Sequence, residues 1–291
     1  MVTIMSSRHR FEVEDGDAGL RLDQVIPKHV AGLSRRKARA VIDLGGVFVD
    51  RARVKVAGRI VRARQTIEVN VGGALDRAAE ASPEPRIVHE DAHVLVVDKP
   101  AGLVTAPTPE GDRGDLLDLL ARRFGEVYLV HRLDLPTSGL LVFARTRDAN
   151  KRLGDAFVAH DVDREYTAVA IGEVSEQTID RPIGGRRAVT HVRPLDSLSG
   201  ATLVAARLET GRTHQIRVHL AGLGHPVAGD RTHGGQTERT FVPRAPRLAL
   251  HARLLGFTHP ATGERVRFES ALPAELAAWI DRLRVPRTST P

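Results

Sequence analysis

A stretch of fourteen residues divides this chain unequally. Residues 73–86 read GALDRAAEASPEPR; they carry no apolar periodicity and hold Pro83 and Pro85 near their end, the pattern of a linker between folded units. Residues 11–72 before it suffice for one small domain, and residues 87–283 after it for a larger one. The last residues, 284–291, end in PRTSTP and read as a loose tail.

Charge follows the same division. Residues 1–73 hold 14 Lys and Arg against 8 Asp and Glu, whereas the remainder holds 29 against 28. A small basic module ahead of a near-neutral one points to a polyanion as partner of the first part. The alternative is a solvated arginine surface, because 38 of the 43 cations are Arg throughout. The chain has no Cys, which excludes disulfides, zinc fingers and thiol nucleophiles. No apolar run approaches the roughly 18 residues of a membrane helix. The start, MVTIMSSRHRF, lacks the apolar core of a secretory signal, so a soluble, cytoplasmic protein is expected. Aromatic residues make up only 4%, too few for a stacking platform to be the main grip on a nucleic acid.

Within 11–72, Leu22, Val25 and Ile26 have helical spacing, and Pro27 is expected to kink or shorten that helix. Ser34 is a good N-cap for a helix over Arg35–Leu44, stopped by Gly45 and Gly46. Val47 and Val49, then Ile67 and Val69, alternate as short strands. The second helix opens with Arg35, Arg36 and Lys37, although the macrodipole disfavours cations there. A phosphate bound among them and the exposed N–H groups gives that placement a reason; side chains reaching away into water are the alternative. In the larger part, Val94–Val97, Tyr128–Val130, Leu140–Phe143 and Tyr166–Ile171 read as strands. Leu116–Phe124, Leu153–Val158 and Ala274–Leu283 read as helices.

The segment VYLVHRLDLPTSGLLVFA sets a polar loop between two apolar strands, where chemistry is commonly mounted. Asp134 in that loop is a candidate nucleophile or base; a turn aspartate bonding its own backbone is the alternative. In LETGRTHQIRVHLAGLGHPVAGD, Thr213 can cap a helix running to Leu223 with Gly224 as its stop, which places Arg217 one turn inside. His214 and His219 are five residues apart and do not aim at one ion, so no metal site is expected. Neither a phosphate loop nor a nucleophile elbow is present, since Ser138 before Gly139 lacks the preceding glycine. Asp134 and Glu209 can be paired on paper as glycosidase carboxylates, with no defined separation.

Taken together, HRLDLPTSGLLVFA, the D-K-P-A-G at Asp98–Gly102, the T-G-R-T-H-Q-I-R-V-H at Thr210–His219, the G-H-P-V-A-G-D at Gly224–Asp230 and RLALHARLLGFTHPATG at Arg247–Gly263 resemble the RluA-type pseudouridine synthases. The first part, with Arg21-Leu22-Asp23, Leu33-Ser34-Arg35 and Gly45-Gly46-Val47, resembles the S-four (α-L) RNA-binding domain. The resemblance implies an α+β chain, its catalytic domain built on a mixed, mainly antiparallel sheet. It implies cofactor-free isomerisation of uridine to pseudouridine in structured RNA, most of all large-subunit ribosomal RNA, with transfer RNA as the other substrate the family uses. It implies neither a membrane nor an obligate protein partner. A non-catalytic RNA-binding or ribosome-assembly factor on the same fold is the rival of a different class, and intact Asp134, Tyr166 and Arg217 speak against it.

By the same resemblance, Asp134 is the catalytic aspartate, acting as nucleophile on the sugar or as base toward carbon-2′. Arg217 is its partner, Tyr166 stacks on the target base, and Arg132 holds the flipped nucleotide. Arg164 stands two residues before Tyr166 where the family commonly has Lys, and with Arg132, Arg35, Arg36 and Lys37 it is expected to touch RNA. Arg145 likewise replaces a usual Lys, and Ala106-Pro107 stands where His-Pro is common.

Overall fold

The computed structural model describes residues 7–43, 45–71, 84–106 and 115–284, which fall into two units. The first unit contains β1 (Ser7–Glu12), α1 (Leu22–His29), α2 (Arg35–Asp43), β2 (Val47–Val49), β3 (Ala52–Val54) and β4 (Thr66–Val71). The strands form one antiparallel sheet in the order β1-β4-β2-β3. Leu22, Val25, Ile26, Ala38, Val41 and Ile42 bring the apolar faces of both helices onto Val47, Val49, Ile67 and Val69. α1 runs two residues past Pro27, whose missing N–H leaves the Asp23 carbonyl without its helical donor. In α2 the Ser34 hydroxyl accepts the Lys37 N–H at 3.3 Å, and the Gly45 and Gly46 N–H groups close the far end on the Ile42 and Val41 carbonyls.

The second unit runs β5 (Arg86–Glu90), β6 (Val94–Lys99), α3 (Leu116–Phe124), β7 (Tyr128–Leu129), β8 (Ser138–Ala144), α4 (Arg147–Val158), β9 (Val162–Ile171), β10 (Gln177–Asp180), β11 (Val189–Leu198), β12 (Ala201–Leu208), α5 (Gln215–Gly222), α6 (Gly235–Thr240), β13 (Leu250–Thr258), β14 (Arg265–Glu269) and α7 (Ala274–Arg284). Its sheet follows the order β10-β11-β12-β9-β13-β8-β6-β5, with β14 on β13 and β7 on β8. Every described pairing in it is antiparallel except β13 with β8, so the sheet is mixed and mainly antiparallel, as the family resemblance implied.

Alternation explains the unbroken apolar runs of β6 and β8. Leu95, Val97, Leu141 and Phe143 face a core shared with Leu116, Leu120, Ile216, Leu220 and Trp279 of the helices. Val94, Val96, Leu140 and Val142 face the opposite layer with Ala149 and Leu153 of α4. A strand buried on both faces has no polar positions to alternate. Among the described residues no helix is long and apolar enough to cross a membrane.

Several boundaries differ from the sequence reading. β1 begins at Ser7, before residue 11, because the cations of RHR sit on an edge strand beside water. β5 begins at Arg86, inside the expected linker, and pairs with Asp98; the rest of that segment up to residue 83 lies outside the described residues. α7 extends through Arg284, which was expected to open the tail.

Candidate active site

Asp134 sits in the loop between β7 and β8, and both of its neighbours are tied down by the D-K-P-A-G segment and the three residues after it. On one side the Thr105 hydroxyl donates to the Leu133 carbonyl at 2.9 Å. On the other, the Gly102 N–H donates to the Leu135 carbonyl at 2.8 Å, and the fully buried Lys99 ammonium donates to the Leu103 and Leu135 carbonyls at 2.9 and 3.4 Å. Burial and the Arg247 charge push Lys99 down to about 7, against the pull of Asp134. The chain leaves the loop directly into β8, where Gly139 has φ +116°. A Cβ there would lie 2.3 Å from the Ala252 carbonyl oxygen, so only glycine lets β8 pair with β13 at that point.

Arg217 enters from α5 and spans two carboxylates. Its Nη1 donates to Asp134 Oδ2 at 3.0 Å, while Nε and Nη2 form a fork on Asp230 at 2.7 and 2.8 Å. Asp230 also accepts the Thr232 and His233 N–H groups at 2.9 and 3.0 Å. Burial pushes the Asp230 carboxyl up, but the Arg217 bonds and these two amides outweigh it and hold it below its ordinary value. The side chains of Arg217 and Asp230 are 4% and 0% exposed, against 25% for Asp134. One acid thus anchors the guanidinium, and the other is left accessible with a single strong bond.

α5 starts at Gln215 with His214 as its N-terminal flank, not with Thr213 as expected; His214 adopts a left-handed backbone, φ +56°. Its Nε2 lies 3.7 Å from Asp134 Oδ2, and its Nδ1 is hydrogen-bonded to His233 Nε2 at 2.9 Å. The sequence reading passed over Lys99, His214, Asp230 and His233 as site residues. The signal for Lys99, His214 and Asp230 was their place inside the motifs already singled out; His233 lies three residues past the last of these and carried none.

On β9, Arg164 and Tyr166 share one face, and both are 8% exposed. Burial raises the Tyr166 hydroxyl above its ordinary value; Arg164 opposes this and the nearby Asp134 charge adds to it. Arg164 lies over the Phe157 ring at 5.3 Å and donates to the Glu209 carbonyl at 2.9 Å, and its buried Nε has no hydrogen-bond partner among the described residues. Burial lowers its affinity for its own proton. Arg132 is exposed beside Asp134 in sequence. The Glu209 carboxylate is engaged elsewhere, with His191 at 2.8 Å and Arg187 at 3.3 Å, so it is not paired with Asp134.

In the first unit Arg35 forms an ion pair with the fully buried Asp23 at 3.2 Å. Lys37 is half-buried, and the side chain of Arg36 lies outside the described residues. No group of three or more His, Asp or Glu among the described residues is arranged to hold a metal ion.

An accessible carboxylate gripped by a buried guanidinium, in a loop of a large mixed sheet, is an arrangement that can serve as nucleophile or base. Residues 93–222 match the model of the family described as RNA pseudouridylate synthase. The chain belongs to this family, and is an RNA pseudouridine synthase, an isomerase. It is 37% identical to the ribosomal large subunit pseudouridine synthase D of Pseudomonas aeruginosa over 92% of this chain and 93% of that protein. It is also 37% identical to the protein of the same name from Nitrosomonas europaea, over 95% and 88%. Among solved structures, Human RNA Pseudouridylate Synthase Domain Containing 4 is 25% identical, with a TM-score of 0.56, over 68% of this chain and 92% of that one.

Proposed function

We propose that this enzyme converts specific uridines of large-subunit ribosomal RNA to pseudouridine in the cytoplasm. The observation that carries the chemistry is the asymmetric hold of Arg217 on Asp134 and Asp230. The glycosidic bond from carbon-1′ to nitrogen-1 must break with its electron pair leaving on the base, which makes the sugar electron-poor. A charged carboxylate at that carbon serves either route: it bonds to carbon-1′, or it takes the proton from carbon-2′. Arg217 fixes the direction of the carboxylate, and the D-K-P-A-G clamp fixes the height of its loop.

Tyr166 is the surface on which the released uracil turns, Arg132 holds the flipped nucleotide, and Arg164, on the same strand face as Tyr166, contacts the substrate. The target must leave its stack to expose carbon-1′, at a cost of a few kcal/mol. Residues 11–72 act as the S-four RNA-binding domain that offsets this cost. The net positive charge of that part of the sequence supports the assignment, with Lys37, Arg36 and Arg35 at the start of α2 as its phosphate contacts. The choice of RNA rests on the names of the relatives.

Pseudouridine mapping of total RNA from cells with and without the gene tests the reading. The expected result is the loss of a few sites in large-subunit ribosomal RNA alone. Loss confined to transfer RNA would reassign the substrate, and an unchanged map would reject it.

A further inference from the structure

Uridine carries a hydrogen on carbon-5 and pseudouridine does not, so the new carbon–carbon bond leaves a proton to be removed. Of the two basic side chains in ion-pair range of Asp134 among the described residues, Arg217 has no lone pair to accept it, and His214 has one. We propose that His214, backed by His233, is the base that takes the carbon-5 proton once that carbon has joined carbon-1′. This rests on the isomerase reading above.

The bookkeeping closes without a cofactor. Carbon-5 attacks carbon-1′ with the electron pair of the C5=C6 bond; on the nucleophile route the Asp134 carboxylate leaves carbon-1′ with its bonding pair, and on the base route Asp134 returns its proton to carbon-2′ as the sugar double bond opens. Nitrogen-1 is then doubly bonded to carbon-6. His214 Nε2 takes the proton from carbon-5. The C–H pair restores C5=C6, the former C6=N1 pair moves onto nitrogen-1, and nitrogen-1 takes a proton back from the imidazolium. Nothing is oxidised or reduced, and the ring ends neutral.

The surroundings suit that cycle. With His214 Nδ1–H donating to His233 Nε2, Nε2 is the free acceptor on the Asp134 side. Once protonated, both N–H groups have acceptors, the Asp134 carboxylate and His233. The charged groups around the ring are Asp134 and Asp230, which favour the imidazolium, and Arg217 and His233, which oppose it. Burial opposes it most, and the net direction is downward, so the resting ring is neutral and ready to accept. The His214 side chain is 32% exposed, against 4% for Arg217, so it is accessible to a base bound beside Asp134.

The competing groups are less suited. Tyr166 is held protonated by burial and by Asp134, and the Lys99 ammonium is spent on backbone carbonyls. The left-handed backbone at His214 is a local cost of the kind that collects at functional sites.

Asparagine tolerates that backbone and removes the base, so His214→Asn is the variant of choice. Single-turnover rates are measured on RNA bearing hydrogen or deuterium at carbon-5, over a range of pH. The wild type is expected to show a small isotope effect. His214→Asn is expected to bind RNA normally, to lose about 10²-fold in rate, and to show a primary isotope effect because proton removal has become limiting. An unchanged rate, or a slower rate with no isotope effect, would overturn the proposal and leave Asp134 as the base.

If His214→Asn does not bind RNA, His233→Gln decides the matter. A slower rate with an emergent isotope effect supports the proposal, and a wild-type rate and isotope effect refute it. Failure of the isomerase reading looks different, because then the wild type itself releases no carbon-5 label.

Discussion

Each unit of this protein buries a charged cluster, and the two are inverses. In the first, one carboxylate serves three guanidiniums: Asp23 is fully buried and meets Arg39 at 2.5 Å and Arg21 and Arg35 at 3.2 Å. In the second, one guanidinium serves two carboxylates, with Arg217 forked on Asp230 and singly bonded to Asp134. The first cluster carries surplus positive charge outward, where Arg21 and Arg39 are 45% and 30% exposed. The second carries surplus negative charge, and its accessible member is Asp134. A buried ion contributes little net stability by itself, but removing its partner is costly. In both units the buried member therefore orients a more exposed one: Asp23 arrays cations suited to phosphate, and Asp230 holds the arginine that aims a carboxylate.

The comparison breaks most severely at Arg217. Arg217→Met leaves Asp230 buried and unpaired, at a cost of about 3–5 kcal/mol. It also frees Asp134 to turn, with an expected loss of about 10²-fold or more in single-turnover rate. Thermal unfolding and rapid-quench assays check the two effects, and a variant that keeps both stability and rate would remove Arg217 from the design. Asp23→Asn should act on the other half only. It removes the charge that three arginines share, and about 3 kcal/mol is expected to be lost from the first unit by hydrogen exchange. RNA affinity should fall while the rate at saturating RNA holds; a fall in that rate alone would contradict the separation.

The smallest effect sharpens the contrast through pH. Burial, aided by Arg164, pushes His131 down to about 3; its ring stacks on Phe157 at 4.5 Å, and its Nε2 accepts the Val142 N–H at 3.2 Å. The unfolded chain protonates this group near 6.5, so between those values it holds more protons than the folded form. Stability of the second unit should therefore fall as pH drops from about 6.5 toward 3. Asp23 acts later: burial raises it, its arginines more than reverse that, and its contribution is lost only as pH falls below the ordinary carboxylate range. Hydrogen exchange across this range should show the second unit loosening first, and His131→Gln should remove part of its slope.

Local pattern revealed some elements and not others. α3 was legible at Leu116–Phe124 because apolar spacing coincides with a true cap, Asp115, whose carboxylate accepts the Asp118 N–H at 3.0 Å. Only the end of α4 was legible. Its first turns carry Arg147, Asp148, Asn150, Lys151 and Arg152, which face water and break the apolar pattern, although Thr146 caps the helix. The β11–β12 hairpin was missed because exposed Arg193 and Arg207 interrupt it. Asp134 by itself read as a turn residue, and its backbone carbonyl does accept the Thr137 N–H at 3.0 Å. What marks the side chain is a partner 83 residues away, and no local pattern encodes that contact. Family motifs supplied it, and Asp230 and Lys99, which stand in the same motifs, needed the coordinates to acquire roles.

The most direct test is single-turnover pseudouridine formation by Asp134→Asn, measured beside its affinity for the same RNA. The carboxamide keeps the shape of the side chain and can still accept from Arg217, but it neither carries charge nor serves as nucleophile or base. The expected result is undiminished binding with no pseudouridine formed. Product accumulating near the native rate would contradict the assignment of the chemistry to this carboxylate.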